Sequence, residues 1–276
     1  NVRFVHAVAD RSIHGAPFDA VLAFSLMHLL PDLPISLHMK KGKQDWTLYG
    51  QEGHYYLDAM MQRHKGYGFR LETEPIKPVQ MHHDRGYETY GSITEAGYYS
   101  YPRLVAKGEL YIDGKLRKVG GELWYDRQWN CFAVGAKPNI GWDWISIQLD
   151  DPQEEIMVYL LKDYESGIKA YGGSHFSADQ VNTYLSQEDI EITEVAYWQS
   201  PKSKGRYPTT WRVKIEKLGY DLEVKARMPA QELHLQFLPW LPFYYWEGMA
   251  AVQGTQHGKP IQGNSYVEIT NRRGLE

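Results

Sequence analysis

Three carboxylates stand among aromatic rings in this sequence, and they are the groups best suited to do chemistry. Asp126 lies in Gly-Gly-Glu-Leu-Trp-Tyr-Asp-Arg-Gln-Trp (120–129), Asp143 in Ile-Gly-Trp-Asp-Trp-Ile-Ser-Ile-Gln-Leu (140–149), and Glu247 in Tyr-Tyr-Trp-Glu-Gly (244–248). A carboxyl kept dry among rings is pushed toward its neutral form and can serve as a proton donor. The rings supply the complementary half, because a Trp or Tyr face attracts a carbocation by about 2 kcal/mol or more once water is excluded. Protonation of an alkene or polyene, followed by capture of the cation by water or by an internal nucleophile, is the chemistry this combination suits. The plainer alternative is that Asp126 or Asp143 pairs with Arg127 or Arg103 inside the fold and fixes how two strands cross.

The elements that must position these groups are strands. Both tryptophan-rich stretches alternate with a period of two. Trp124, Asp126 and Gln128 therefore share one face, while Tyr125, Arg127 and Trp129 share the other. In the second stretch Asp143 shares a face with Ile145, Ile147 and Leu149, and an acid that opens an apolar face is either paired or used. Of the three acids, Asp126 has the better surroundings for chemistry, with the Trp124 ring and the Gln128 amide beside it. Tyr98-Tyr99-Ser100-Tyr101-Pro102-Arg103 is a second aromatic cluster, which by itself reads equally well as strand filler.

The wider chain supports an all-β reading. Short apolar-alternating runs are separated by turn residues about every ten positions, a pattern of sandwiches and barrels. Asp113-Gly114 between 104–112 and 115–124 is a strong hairpin signal, since both residues tolerate positive φ. Asp150-Asp151-Pro152 joins 144–149 to 156–161 in the same way. Near the start, Phe4 to Ala9 reads as a strand, and the apolar run Phe18 to Leu30 suits either a strand or a short helix. The segment from Ser177 to Leu185 is the best helix of the second half, with Ser177 as N-cap and Gln180 at the third position. There are too many strands for one eight-stranded barrel. Two β units are expected, residues 1–139 and 140–276, with little helix and packed together as one rigid body.

Composition narrows the function classes. With 43% hydrophobic and 23% charged residues the chain is globular, because a disordered chain lacks that apolar content. A net charge of -4 gives no general attraction for nucleic acid or an anionic membrane. The single cysteine, Cys131, excludes an intrachain disulfide and a thiolate metal cluster. No apolar run is long enough to span a bilayer as a helix. Phosphate-binding, dinucleotide, H-E-x-x-H and nucleophile-elbow motifs are all missing, the last because Gly172-Gly173-Ser174-His175-Phe176 lacks its final Gly. His82-His83-Asp84 is the one histidine cluster, and it reads as an exposed polar turn rather than a metal site. The chain opens on Asn-Val-Arg-Phe-Val-His-Ala-Val, which resembles the middle of a strand, so a leader or further N-terminal segment is expected to precede it.

Several segments in order resemble one family. Tyr-Tyr-Ser-Tyr-Pro-Arg-Leu (98–104) resembles its Y-Y-S-x-T-R-L segment, and Trp-Tyr-Asp-Arg-Gln-Trp (124–129) its W-x-D-R-E-W. Gly-Trp-Asp-Trp-Ile-Ser-Ile-Gln-Leu (141–149) follows G-W-D-W-F-x-x-Q-L. Arg206-Tyr207-Pro208 with Trp211, then Tyr245-Trp246-Glu247-Gly248, then Gly263 to Thr270 complete the series. The family is that of AttH and the carotenoid 1,2-hydratases (hydroxyneurosporene synthases), to which kievitone hydratase is similar. The likeness runs from about residue 80 to the C-terminus and is nearer to the AttH branch.

This resemblance implies two lipocalin-like antiparallel β-barrels and an apolar ligand, often isoprenoid or polyene. It also implies that the essential acid falls on Asp126. Two positions depart from the pattern: Pro102 stands for Thr, and Gln128 stands for Glu, which removes a carboxylate beside the acid. The expected catalytic groups are Asp126, Asp143 and Glu247. The expected substrate-binding groups are Tyr99, Tyr101, Arg103, Trp124, Trp129, Trp142, Trp144, Tyr245 and Trp246. The expected function is that of a hydratase or cyclase acting on a hydrophobic alkene or polyene, without metal, nucleotide or other cofactor. A cyclase that works by shaping its substrate and a non-catalytic lipocalin-like binder are the alternatives. The partner is a small hydrophobic molecule, not nucleic acid, and the resemblance favours a periplasmic or secreted location.

Overall fold

The computed structural model describes residues 6–8, 34–41, 44–60, 68–83, 85–112, 114–129, 139–238 and 241–270. The apolar run Phe18 to Leu30, Asp84 and Cys131 lie outside them, as do the ends of the expected strand from Phe4 to Ala9, of which His6–Val8 is described. The chain is all-β, and each of its two sheets curls into a lipocalin-like half-barrel.

The first sheet is formed by β1 (His6–Val8), β2 (Ile35–Lys41), β3 (Gln44–Gln51), β4 (His54–Met60), β5 (Gly68–Pro75), β6 (Gln80–Met81), β7 (Tyr87–Tyr90), β8 (Thr94–Ile112) and β9 (Lys115–Trp129). Its order is β1-β9-β8-β5-β4-β3-β2, with β6 and β7 beside β8. The β8–β9 hairpin turns where Asp113-Gly114 predicts it: Ile112 pairs with Lys115, and Gly114 has φ +76°.

The second sheet takes β10 (Ile140–Leu149), β11 (Glu155–Asp163), β12 (Lys169–Phe176), β13 (Asn182–Leu185), β14 (Glu191–Gln199), β15 (Arg206–Ile215), β16 (Tyr220–Ala226), β17 (Glu232–Leu238), β18 (Leu241–Gln256) and β19 (Lys259–Thr270). Its order is β13-β12-β11-β10-β19-β18-β16-β15-β14, with β17 beside β18. One face carries the core, in which Ile145, Ile147 and Leu149 of β10 meet Ile156 and Val158 of β11, Val213, Leu222, and the indoles of Trp211 and Trp246. Burying such side chains is the main driving force for closing the sheet.

The helix expected from Ser177 to Leu185 does not form. The backbone N–H of Ser177 donates to the Val181 carbonyl at 3.0 Å, and the N–H of Val181 donates back to the Ser177 hydroxyl at 3.0 Å. A serine that caps a helix can close a tight turn with the same oxygen. Here it does so, and β13 then pairs with β12. Among the described residues, helix is confined to two 3-10 turns, Gln187–Asp189 and Glu216–Leu218, and no helix is long and apolar enough to cross a membrane.

The chain divides into two units, one of Asn1–Gln80 with Gly97–Trp129 and one of Met81–Ala96 with Asn130–Glu276. The excursion Met81–Ala96 lies along β11–β13 of its own unit. There His82 Nδ1 is 3.0 Å from the Ser174 hydroxyl and the Tyr90 ring packs edge-on to Tyr159 at 4.6 Å. Tyr159 fits because β12 offers Gly172 beside it, where an added Cβ would overlap the phenol oxygen.

Candidate functional site

The β8–β9 pair of the first unit holds Asp126. Tyr98 pairs with Gln128, Ser100 with Asp126 and Tyr101 with Tyr125, after which the register slips and Leu104 pairs with Leu123. Pro102 and Arg103 together therefore face the single residue Trp124, which makes a β-bulge. Proline has no N–H to give a ladder, so a bulge is where a paired strand tolerates it. Arg103 is turned in at this point, 2% exposed, with Nη1 donating to Glu122 at 2.9 Å.

Directly paired residues share a face, so Tyr98, Ser100, Trp124 and Asp126 come together. Trp124 Nε1–H donates to Asp126 Oδ1 at 2.6 Å, the Ser100 hydroxyl donates to the same oxygen, and the Tyr98 hydroxyl donates to Oδ2 at 2.8 Å. Asp126 and these three side chains are all buried. The indole N–H is an obligate donor, which fixes Oδ1 as an acceptor. A hydroxyl hydrogen rotates freely, so Oδ2 and the Tyr98 oxygen can exchange the donor role between them. Trp124 is nominated by its spacing from Asp126. Tyr98 and Ser100 escape the sequence reading, although both lie in the quoted 98–104 segment.

The opposite face of the same strands carries Tyr99, Tyr101, Tyr125, Arg127 and Trp129. Tyr55 of β4 joins them, its ring 5.0 Å from Tyr125 and 6.1 Å from Tyr101. Trp129 lies 6.1 Å from Tyr99, over Gly97, where any Cβ would overlap the indole. Burial, then the neighbouring Tyr99 phenol, pushes the Tyr55 and Tyr125 hydroxyls well above their ordinary range, so both stay protonated. Tyr99, Tyr101 and Trp129 are thus gathered together, but across the sheet from Asp126.

The remaining candidates lie in the second unit. Asp143 is on the core face, as its alternation with Ile145 indicates. Its partner there is lysine: Lys162 Nζ is 3.1 Å from Asp143 and 3.2 Å from Glu194 of β14. Trp246 is also on the core face, fully buried against Trp211, with Nε1–H donating to the Pro229 carbonyl at 2.7 Å. Trp142, Trp144, Tyr245 and Glu247 occupy the other face. A cross-strand row runs there from Tyr159 through Trp144 and Glu268 to Glu247. Carboxylates directly opposite one another repel, and phenols answer both: the Tyr245 hydroxyl donates to Glu268, and Tyr266 donates to Glu247 at 3.3 Å. Trp142 packs edge-on to Tyr245 at 6.0 Å.

One acid has no signal in the sequence. Glu88 of β7 is completely buried, and its Oε1 accepts the Tyr159 hydroxyl at 2.9 Å. Burial outweighs that hydrogen bond and one from the Thr89 amide, so the carboxyl is pushed up to about 7. The reading of His82-His83 as an exposed turn is corrected by the same excursion. His82 is fully buried against Ser174 and Phe176, and the His83 ring packs on Tyr184 at 4.2 Å. Among the described residues no three His, Cys, Asp or Glu side chains are grouped to hold a metal.

Residues 35–272 match the AttH-like family model. No curated protein matches the sequence. Among solved structures, one from Nitrosomonas europaea assigned as AttH is similar at 24% identity and TM-score 0.69, over 83% of this chain and 68% of that one. Kievitone hydratase from Nectria haematococca is similar at 17% identity and TM-score 0.66, over 87% of this chain and 84% of that one. A protein named CghA, solved with Sch210972, is similar at 10% identity and TM-score 0.57, over 86% of this chain and 70% of that one. At such identities the likeness is one of fold.

Proposed function

The chain belongs to the AttH-like family, and from that premise we propose that it is a hydratase- or cyclase-type enzyme in which Asp126 protonates a hydrophobic alkene or polyene. The observation that carries this reading is the set of three donors on Asp126, from Trp124, Ser100 and Tyr98. Protonating a carbon–carbon double bond needs a strong acid. The three donors stabilise the conjugate base as the proton leaves, and they are in place before charge develops.

The reaction begins with Asp126 protonated on Oδ2. The π electrons of the substrate take that proton into a new C–H bond, leaving a carbocation and the Asp126 carboxylate. The indole face of Trp124 and the ring of Tyr98 stabilise such a cation by about 2 kcal/mol where water is excluded. Water then adds its oxygen to the cation, and its released proton returns to Oδ2 through the Tyr98 hydroxyl. The sum is alkene plus water to alcohol. Capture by an alkene or hydroxyl within the substrate gives a ring instead, with the proton again returned to Asp126. The resemblance of the fold to a hydratase supports the same class of reaction.

The test is turnover in deuterated water across a panel of isoprenoid, polyene and prenylated phenolic alkenes, followed by mass spectrometry. Wild type is expected to place deuterium in the new C–H bond, and Asp126→Asn to lose turnover by roughly a thousandfold or more while keeping its far-ultraviolet spectrum. Undiminished turnover by Asp126→Asn would refute the assignment and move the chemistry to substrate shaping.

A further inference from the structure

We propose that Arg127 and the phenols around it form a binding site for a ligand with a carboxylate head on an apolar body. The site lies on the face of β8–β9 turned away from Asp126, so it stands whether or not Asp126 donates a proton. Arg127 is 8% exposed. Tyr125 and Trp129 flank it at two residues' distance on the same face of β9, and Tyr99 is its direct partner across the ladder. Its Nε is buried without a hydrogen-bond partner. No ion pair among the described residues engages its guanidinium.

A guanidinium whose Nε is buried without a partner carries an electrostatic cost, which the arrival of an anion offsets. The neighbours cannot supply that anion. Burial, then the Tyr99 and Tyr55 phenols, drives the Tyr125 hydroxyl upward, and the charge of Arg127 opposes the rise without reversing it. The Tyr55 and Tyr125 phenols therefore remain neutral, and a neutral hydroxyl can donate its hydrogen to an incoming acceptor.

The shape of the ligand follows from what lines the site. Guanidinium presents a planar fork that fits two oxygens of one carboxylate. One cation among neutral rings matches a single negative charge better than the higher charge of a phosphate. Tyr55, Tyr99, Tyr101, Tyr125 and Trp129 form a continuous ring-to-ring wall, with neighbouring centroids 5.0 to 6.4 Å apart. Such a wall offers contact to an aliphatic or conjugated body and little to a second polar group. The ligand class is therefore a fatty or aromatic monocarboxylic acid.

Titration calorimetry with octanoate against 1-octanol, and with cinnamate against cinnamyl alcohol, tests the site. The wild type is expected to prefer at least one acid over its alcohol by about tenfold or more. Arg127→Gln should bring that preference to about one while leaving alcohol binding unchanged, and Arg127→Lys should retain part of it. A second measurement guards against a folding artefact. Arg127→Met without ligand should unfold at the wild-type temperature or above, because no ion pair is lost. Equal affinity for acid and alcohol, binding of neither, or a preference that survives Arg127→Gln would overturn the proposal. So would a fall of several degrees in Arg127→Met, which would mean that the cation already has a partner.

Discussion

Replacing Glu88 by Gln isolates a strongly perturbed carboxyl of the second unit. The side chain keeps its size and can still accept the Tyr159 hydroxyl, but it no longer titrates. In wild type the carboxyl rises from its ordinary 4.5 to about 7 on folding. At about 1.4 kcal/mol per pH unit, that rise is worth about 3 kcal/mol. The folded state holds the proton more tightly than the unfolded chain. This stabilisation is therefore fully present below pH 4.5, falls as the pH climbs through about 7, and is gone above it. The carboxamide introduces an N–H group that can cost about 1–3 kcal/mol if it finds no acceptor, but that cost is the same at every pH. The quantity to follow is therefore the stability difference between variant and wild type, from urea unfolding followed by tryptophan fluorescence at pH 5, 6, 7 and 8.5. It should move in favour of Glu88→Gln by about 2–3 kcal/mol across this range, most steeply between pH 5 and 6.5 and levelling off above 7. A difference that stays flat would show a carboxyl titrating as in water, and the burial argument for Glu88 would be wrong.

Two further substitutions separate architecture from chemistry. Lys162→Met strips a buried carboxylate of its cation and should cost about 3–5 kcal/mol, whereas Asp143→Asn leaves Lys162 its bond to Glu194 and should cost only about 1–2 kcal/mol. Abolished turnover in Asp143→Asn with stability intact would instead mark Asp143 as a reacting acid. Gly97→Ala drives a methyl into the Trp129 indole and should lower stability by about 1–3 kcal/mol in the same unfolding assay; an unchanged midpoint would mean that the indole moves aside freely.

Alternation alone puts Trp124 beside Asp126 and Asp143 beside Ile145, because a period of two is local and survives folding. The hairpin at Asp113-Gly114 is equally local, since the chemistry of two residues decides it. What lies beyond reach is register. The extra residue at Pro102-Arg103 decides which tyrosines meet Asp126, and nothing in the spacing of 98–104 announces a bulge there. The same limit hides Lys162 from Asp143, since a cross-strand partner depends on how β10 and β11 are set against each other. Glu88 is further removed still. It sits in an unremarkable Gly-Tyr-Glu-Thr-Tyr stretch, and only the route of the chain after Gln80 makes it a dry acid. Ser177 shows the converse failure, in which a correctly identified capping oxygen closes a turn instead of starting a helix.

The excursion Met81–Ala96 also bears on how such a chain can be taken apart. Neither unit is an uninterrupted stretch, because the polypeptide leaves the first, contributes sixteen residues to the second, and goes back before leaving for good. A gene cut after Trp129 would strand Tyr159, Ser174 and Phe176 without the side chains that cover them, and would graft a stray ribbon onto the other fragment. Swapping halves between relatives at that point therefore exchanges less than a whole module. A faithful chimera has to carry the ribbon along with the half it serves.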